Sequence, residues 1–175
     1  MKSIFWLTII LTIPFMYCNS KVQETLPRKN LYFGDIHNHC SMGYAKGSLE
    51  RAYDVAQSHL DFFCFTPHSQ WHDQPQSSNL KRFTDAYRYV RQNWDLIKRY
   101  ANDAYVPGQF VAFIGYEFHS SMYGDVCIIM PGADGELVYP KDIAGMQQFA
   151  RENNAILIPH HPGYKAGWRG QNWIV

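Results

Sequence analysis

Runs of consecutive apolar residues alternate along this chain with stretches in which apolar positions recur every three or four residues. The runs predict strands over 31–37, 60–66, 110–118, 126–130 and 155–159, and their near-continuous apolar character is that of strands covered on both faces. The helical spacing predicts helices over 48–58, with Ser48 as N-cap and Arg51 as third helical residue, over 79–103, and over 141–153, introduced by Pro140. In the second of these, Leu80, Phe83, Tyr87, Val90, Trp94, Ile97 and Tyr100 or Ala101 form one apolar stripe, with Ser77, Ser78 or Asn79 as its cap. Repeated strand, helix, strand order predicts an α/β fold, a parallel sheet with helices outside it.

The first residues add a different pattern. Lys2 is followed by an almost unbroken apolar run from Ile4 to Tyr17 and then by Cys18-Asn19-Ser20-Lys21. That is the layout of a secretory signal, too short for an ordinary spanning helix of about 20 residues. Cys18 leaves three routes open: the lipidated first residue of a mature lipoprotein, simple secretion, or an uncleaved anchor. Bulky Phe15-Met16-Tyr17 stands where lipoprotein signals resemble Leu-Ala-Gly. The expected organisation is a signal over 1–18, a short linker over 19–30 and one domain over 31–175. Its expected location is the periplasm or the outer membrane as a lipoprotein, with membrane contact only through the signal or a lipid.

Composition narrows the partners. With 46% apolar and 18% charged residues and a formal net charge of +1, the 175-residue chain has the profile of one globular domain, and no nucleic-acid partner is implied. Beyond Cys18 the cysteines are Cys40, Cys64 and Cys127, an odd set without a Cys-x-x-Cys, so neither a disulfide framework nor a structural zinc site is expected. Packing is the expectation for Cys64 and Cys40, and for the aromatic residues other than Tyr44, Trp71, Tyr123, Tyr164 and Trp168.

Histidines then supply the chemistry. His37 and His39 follow the first strand, His68 the second, Glu117 and His119 lie at the end of the third, and His160 and His161 follow the fifth. Parallel sheets gather their functional groups at the carboxyl ends of strands, and residues i and i+2 of a strand share a face. Imidazoles with a carboxylate are a ligand set for zinc, manganese or iron engaged in hydrolysis, and Glu117 is placed to hold two ions together. His59, His72 and Asp73 are given no role.

Gly34-Asp35-Ile36-His37-Asn38-His39, Phe65-Thr66-Pro67-His68-Ser69, Gly115-Tyr116-Glu117-Phe118-His119 and His160-His161-Pro162-Gly163 resemble, in order, the first motifs of the PHP superfamily, named for polymerase and histidinol phosphatase. The stretch from His160 to Trp173 is similar to a bacterial branch of exported PHP-like proteins of unassigned substrate. The resemblance implies a distorted (β/α)7 TIM-like barrel, here incomplete with about five strands, a centre of two or three divalent metal ions, and phosphoester hydrolysis on a small-molecule or phosphorylated substrate. By that resemblance the metal ligands are His37, His39, His68, Glu117 and the pair His160 and His161, of which His161 is favoured because His160 would point the other way along a regular strand.

Departures from the pattern matter too. Pro67 stands where the family has the Asp of Thr-Asp-His. Asp125-Val126-Cys127 stands where relatives carry a Gly-Asp-His type ligand, so that Asp125 or Cys127 substitutes or one metal position is weakened. The family's last Asp-x-His does not occur before Val175, and the sequence reads as the amino-terminal part of a longer protein. His119 is the candidate to protonate a leaving oxygen, and Arg169, with Lys165, the candidate to recognise a substrate phosphate. The readings set against a phosphoesterase are a hydrolase of another substrate and a noncatalytic metal-binding surface protein.

Overall fold

The computed structural model describes residues 29–74, 80–132 and 134–172. The chain divides into two units, Met1–Asn30 and Leu31–Val175, and the elements of the described residues lie in the second. Residues 1–18 with Cys18, most of the linker, and the cap candidates Ser77, Ser78 and Asn79 fall outside the described residues. Among the described residues no helix is long and apolar enough to cross a membrane.

The elements run β1 (Gly34–Asn38), α1 (Leu49–Gln57), β2 (Phe62–Phe65), β3 (His68–Trp71), α2 (Lys81–Gln92), α3 (Trp94–Ala104), β4 (Val111–His119), β5 (Val126–Met130), α4 (Ile143–Asn153) and β6 (Ile156–Pro159). They form a mixed α/β fold around one curled sheet of order β1-β2-β4-β5-β6, with β3 also paired to β4. Strands outnumber helices, so the strict strand and helix repeat of the expected barrel is not what the chain shows.

β1, β2 and β3 are parallel to their neighbours along β4, but β5 is antiparallel to β4, and β6 is antiparallel to β5 and so runs with β4 again. The all-parallel expectation fails at β5 for a steric reason: a parallel pair needs a crossover of a dozen or more residues, and only the turn from Ser120 to Asp125 separates β4 from β5. Gly124 makes that turn possible. Its φ is +91°, and a Cβ there would lie 2.7 Å from the Gly170 carbonyl oxygen. Asp73, given no role from the sequence, braces the turn by accepting hydrogen bonds from Ser120 Oγ, Ser121 N and Met122 N at 2.9, 2.9 and 2.8 Å.

Two further expectations are corrected. The helix over 79–103 is two helices, because Asn93 leaves helical geometry and its side-chain amide donates to the Tyr89 carbonyl, competing with the backbone for that acceptor. The strand over 60–66 is continued by β3, which the sequence did not announce. Pro67 lacks an N–H and interrupts the ladder; beyond it His68 pairs with Glu117 on β4 just as Phe65 pairs with Ile114 before it.

Alternation along the strands gives the sheet two unlike faces. Phe63 and Phe65 of β2, Ile114, Tyr116 and Phe118 of β4, and Val126, Ile128 and Met130 of β5 pack against the helices, which bring Leu49, Tyr53 and Ala56 of α1, Val90 of α2 and Trp94, Ile97 and Ala101 of α3. Full burial of a side chain such as Ile97 stabilises by about 1.5–3 kcal/mol. Ser48 caps α1 by accepting from Arg51 N, as read from the sequence; α4 is capped by Asp142, which accepts from Gly145 N. The opposite face carries Ile36, Cys64, Phe113, Ile129 and Ile158. Ile36, Phe62, Phe113, Ile129 and Ile156 line an apolar cavity of about 350 Å³ there. Toward the carboxyl ends of β1, β2, β4 and β6 the same face turns polar.

Candidate metal centre

Glu117 sits at that polar end, on the inward face of β4, and is fully buried. Its backbone is fixed on both sides, since its N–H donates to the Pro67 carbonyl at 2.9 Å and it lies opposite Cys127 of β5. The two carboxylate oxygens face different neighbours. Oε2 has His68 Nδ1 at 3.2 Å, His39 Nε2 at 3.3 Å and His37 Nε2 at 3.9 Å, yet accepts no hydrogen bond from the described residues. Oε1 has Arg169 at 2.9 Å, His161 Nε2 at 3.7 Å, His119 Nδ1 at 3.7 Å and His160 Nε2 at 3.8 Å.

The Oε2 side has the dimensions of a metal site. His37 Nε2 and His39 Nε2 are 3.2 Å apart, and with their distances of 3.9 and 3.3 Å to Glu117 Oε2 the three atoms share a common point about 2.0 Å from each, a zinc to nitrogen or oxygen bond length. Among the described residues the three belong to one of four overlapping groups that could hold an ion: His37, His39 and Glu117; His68, Glu117 and His119; Glu117, His160 and His161; and His37, Cys127 and His160. Buried His, Glu and Cys side chains are thus positioned to hold a metal ion.

Local folding explains how each ligand-type side chain arrives. Asp35 accepts from His37 N at 3.0 Å and from Asn38 Nδ2 at 3.2 Å, which bends the end of β1 where its register with β2 slips. Both His37 and His39 then turn inward. Thr66 Oγ1, 2.9 Å away, and Cys127 Sγ, 3.0 Å away, lie against His37 Nδ1, the ring nitrogen turned from Glu117.

The expectation that His160 points away from His161 is not met. His161 has φ +55°, a left-handed conformation uncommon for a residue with a side chain. That twist past the end of β6 cancels the strand alternation and brings both imidazoles to Glu117, their ring centres 3.7 Å apart.

Burial sets the protonation of the cluster. Desolvation first, and then neighbouring histidines or Arg169, pull His37, His39, His160 and His161 down to about 4, and desolvation with His119 beside it holds His68 far lower still. Each therefore offers a lone pair at neutral pH, the form a metal requires. Burial pushes Glu117 up to about 7, against the pull of His119 and Arg169.

The two residues expected to act on substrate are placed differently from that expectation. His119 is fully buried, stacked on His68 at 4.4 Å with Nδ1 2.9 Å from Asp125 Oδ2, so it faces the cluster and not solvent. Arg169 turns inward, with Nε 2.6 Å from Asp125 Oδ2 and a terminal nitrogen 2.9 Å from Glu117 Oε1. Its fork is spent on carboxylates of the protein itself. Lys165 lies in the same loop, where its carbonyl accepts from Trp168 N and Gly170 N.

Asp125 is fully buried beside this cluster, and the sequence had offered it only as a substitute ligand. The short gap between β4 and β5 was the signal: a turn that short returns Asp125 to the edge where β4 ends. Among the aromatic residues singled out, Tyr44 stacks on His68 at 4.5 Å and Tyr164 on His161 at 4.1 Å, both exposed outside the cluster. Trp71 is instead core, packed with Leu80, Phe83 and Tyr87. Cys40, Cys64 and Cys127 are all buried and free.

A family model described as a protein of unknown function (DUF3604) matches residues 45–127. The chain is similar to that family from the loop after β1 to the start of β5, a stretch that holds His68, Glu117, His119, Asp125 and Cys127 but not His37, His39, His160, His161 or Arg169. No curated protein and no solved structure matches the chain.

Proposed function

We propose that this protein is a metal-dependent hydrolase, most simply a phosphoesterase of the PHP type, whose sheet forms part of a TIM-like barrel. One observation supports it above all: a fully buried carboxylate oxygen, Glu117 Oε2, accepts no hydrogen bond from the described residues yet is ringed by nitrogens of His37, His39 and His68. A buried carboxylate left that way is costly to ionise unless a cation completes it. When bound, a divalent ion supplies Lewis acidity toward a phosphoryl oxygen and acidifies water toward neutral pH.

The side chains do the rest. His37, His39 and Glu117 would fix the ion's position, while Thr66 and Asp35 fix His37. The exposed rings of Tyr44 and Tyr164 flank the place where a substrate would enter. Nitrogen and oxygen donors suit zinc, manganese and iron alike, and the proposed setting is the exported one, periplasmic or lipid-anchored at the outer membrane.

The test is turnover of a chromogenic phosphoester by the full chain, stripped with chelator and reloaded with zinc, manganese or iron(II). Metal-dependent activity that falls about 100-fold or more in His39→Ala, with an unchanged metal-free circular dichroism spectrum, is the expected result. A folded, metal-loaded protein with no turnover sinks the catalytic reading. A noncatalytic metal-binding protein would then stand in its place, and the inward orientation of Arg169 favours it, since that residue is not presented to a substrate.

A further inference from the structure

Glu117 presents its second oxygen to a space that is also enclosed by ligand-type atoms. Around it stand Glu117 Oε1, Asp125 Oδ2, His161 Nε2 and His119 Nδ1. The imidazole nitrogens lie 3.7 Å each from Oε1, and 3.9 and 2.9 Å from Oδ2. Carboxylate oxygens and imidazole nitrogens are ligand types a divalent ion takes, and Glu117 with His160 and His161, whose Nε2 atoms lie 3.8 and 3.7 Å from Oε1, is one of the groups among the described residues that could hold one. The guanidinium of Arg169 fills this space. It reaches Asp125 Oδ2 at 2.6 Å, Glu117 Oε1 at 2.9 Å and His161 Nε2 at 3.1 Å. Because guanidinium only donates, His161 Nε2 must direct its lone pair at Arg169, the same lone pair a metal would take.

Arg169 is built into this position and does not swing there from the surface. Its side chain is 12% exposed. Its backbone carbonyl accepts from Asp125 N at 3.0 Å while its side chain donates to the carboxylate of the same residue, a two-way clamp on the start of β5. The loop carrying it closes through Gly170 N to the Lys165 carbonyl at 3.3 Å, and a Cβ on Gly170 would collide with the Tyr164 carbonyl.

We infer that Arg169 is a permanent cation standing in the second of two ion positions that share Glu117, so that the native chain leaves the Oε1 side closed to metal and opens it only when the guanidinium is removed. The inference rests on the reading of Glu117 Oε2 as a metal ligand. A guanidinium stays charged at every pH a protein survives. It neutralises Asp125 and half of Glu117 without any exchangeable ion, and limits this carboxylate to one metal where the family resemblance implies a bridge between two.

The experiment counts zinc. The full chain and the variants Arg169→Ala and Arg169→Met are stripped with chelator, reloaded with zinc, desalted and analysed for zinc per chain by elemental analysis. The variants are expected to hold about one zinc ion more than the native chain. Their metal-free forms should melt lower, because two buried carboxylates lose their partner, and zinc should raise their melting temperature more than it raises that of the native chain. Equal zinc content in native and variant chains overturns the inference while leaving Glu117 as a ligand. No zinc in any of the three removes the reading of the site itself. Variants that stay unfolded and gain nothing from zinc also count against the inference, since an opened ion position would be filled.

Discussion

Glu117→Gln is expected to lower zinc affinity by about 100-fold or more while leaving the metal-free fold within about 1 kcal/mol of the native protein. The two effects part because the Oε2 side of the carboxylate is proposed to serve the ion and not the fold. Glu117 Oε2 accepts no hydrogen bond from the described residues, so an amide loses nothing on that side and can donate to a neutral imidazole. On the other side the amide oxygen still accepts from Arg169. Burial has already pushed the carboxyl up to about 7, so near neutral pH much of its charge is absent before the ion arrives. What glutamine cannot provide is the anionic ligand at the shared point about 2.0 Å from the His37 and His39 nitrogens. Calorimetric titration with zinc, paired with urea unfolding in chelator, reads both halves. Unchanged affinity would exclude Glu117 as a ligand.

Acid should unfold the metal-free protein well before ordinary carboxylate titration does. His37, His39, His160 and His161 titrate at about 4 in the folded chain against 6.5 for the ordinary side chain. Between those values the unfolded chain binds protons that the folded chain refuses. Stability from this source is complete above about pH 6.5, drains away as the pH falls, and is exhausted near pH 4. Each histidine contributes a slope of up to about 1.4 kcal/mol per pH unit within the window, less than additively because the rings also repel one another. Glu117 works the other way: its folded value of about 7 lies above its ordinary 4.5, so it takes up a proton on folding and gains stability as the pH falls from 7 to 4.5. One carboxylate against four histidines leaves the net slope with the histidines. Urea unfolding in chelator at pH 7.5, 6, 5 and 4.5 should show a steadily falling midpoint; a flat profile would mean that the histidines are solvated when folded.

The ligand-type residues were legible because parallel strands deliver their last residues to one edge, and His37, His39, His68, Glu117, His160 and His161 each lie at or just past such an end. What stayed hidden was local geometry that no side-chain type announces. The reversal of β5 depends on a turn too short for a crossover, and with it came Asp125. β3 was masked by Pro67, which breaks the ladder without ending the strand's path. The inward swing of His160 depends on one left-handed residue, His161, whose conformation has no signature in residue type. Arg169 was legible as a cation beside the histidines, but its target was not, because a guanidinium suits a substrate phosphate and a protein carboxylate equally well.

The short turn between β4 and β5 also dictates an order of assembly. Glu117 and Asp125 are joined by a few residues and adjacent antiparallel strands, so closing that hairpin costs little chain entropy. His37 and His39 on one side and His160 and His161 on the other come from the far ends of the domain and converge only when β1 and β6 have docked. Local contacts form early and distant ones late. The anionic half of the centre should therefore exist in the folding transition state while the imidazole half does not. An ion that needs both halves stabilises the native state and leaves the transition state untouched, so zinc is expected to slow unfolding in stopped-flow measurements and to leave the refolding rate nearly as it was. The metal would then act as a lock on a finished fold and not as a template for making it.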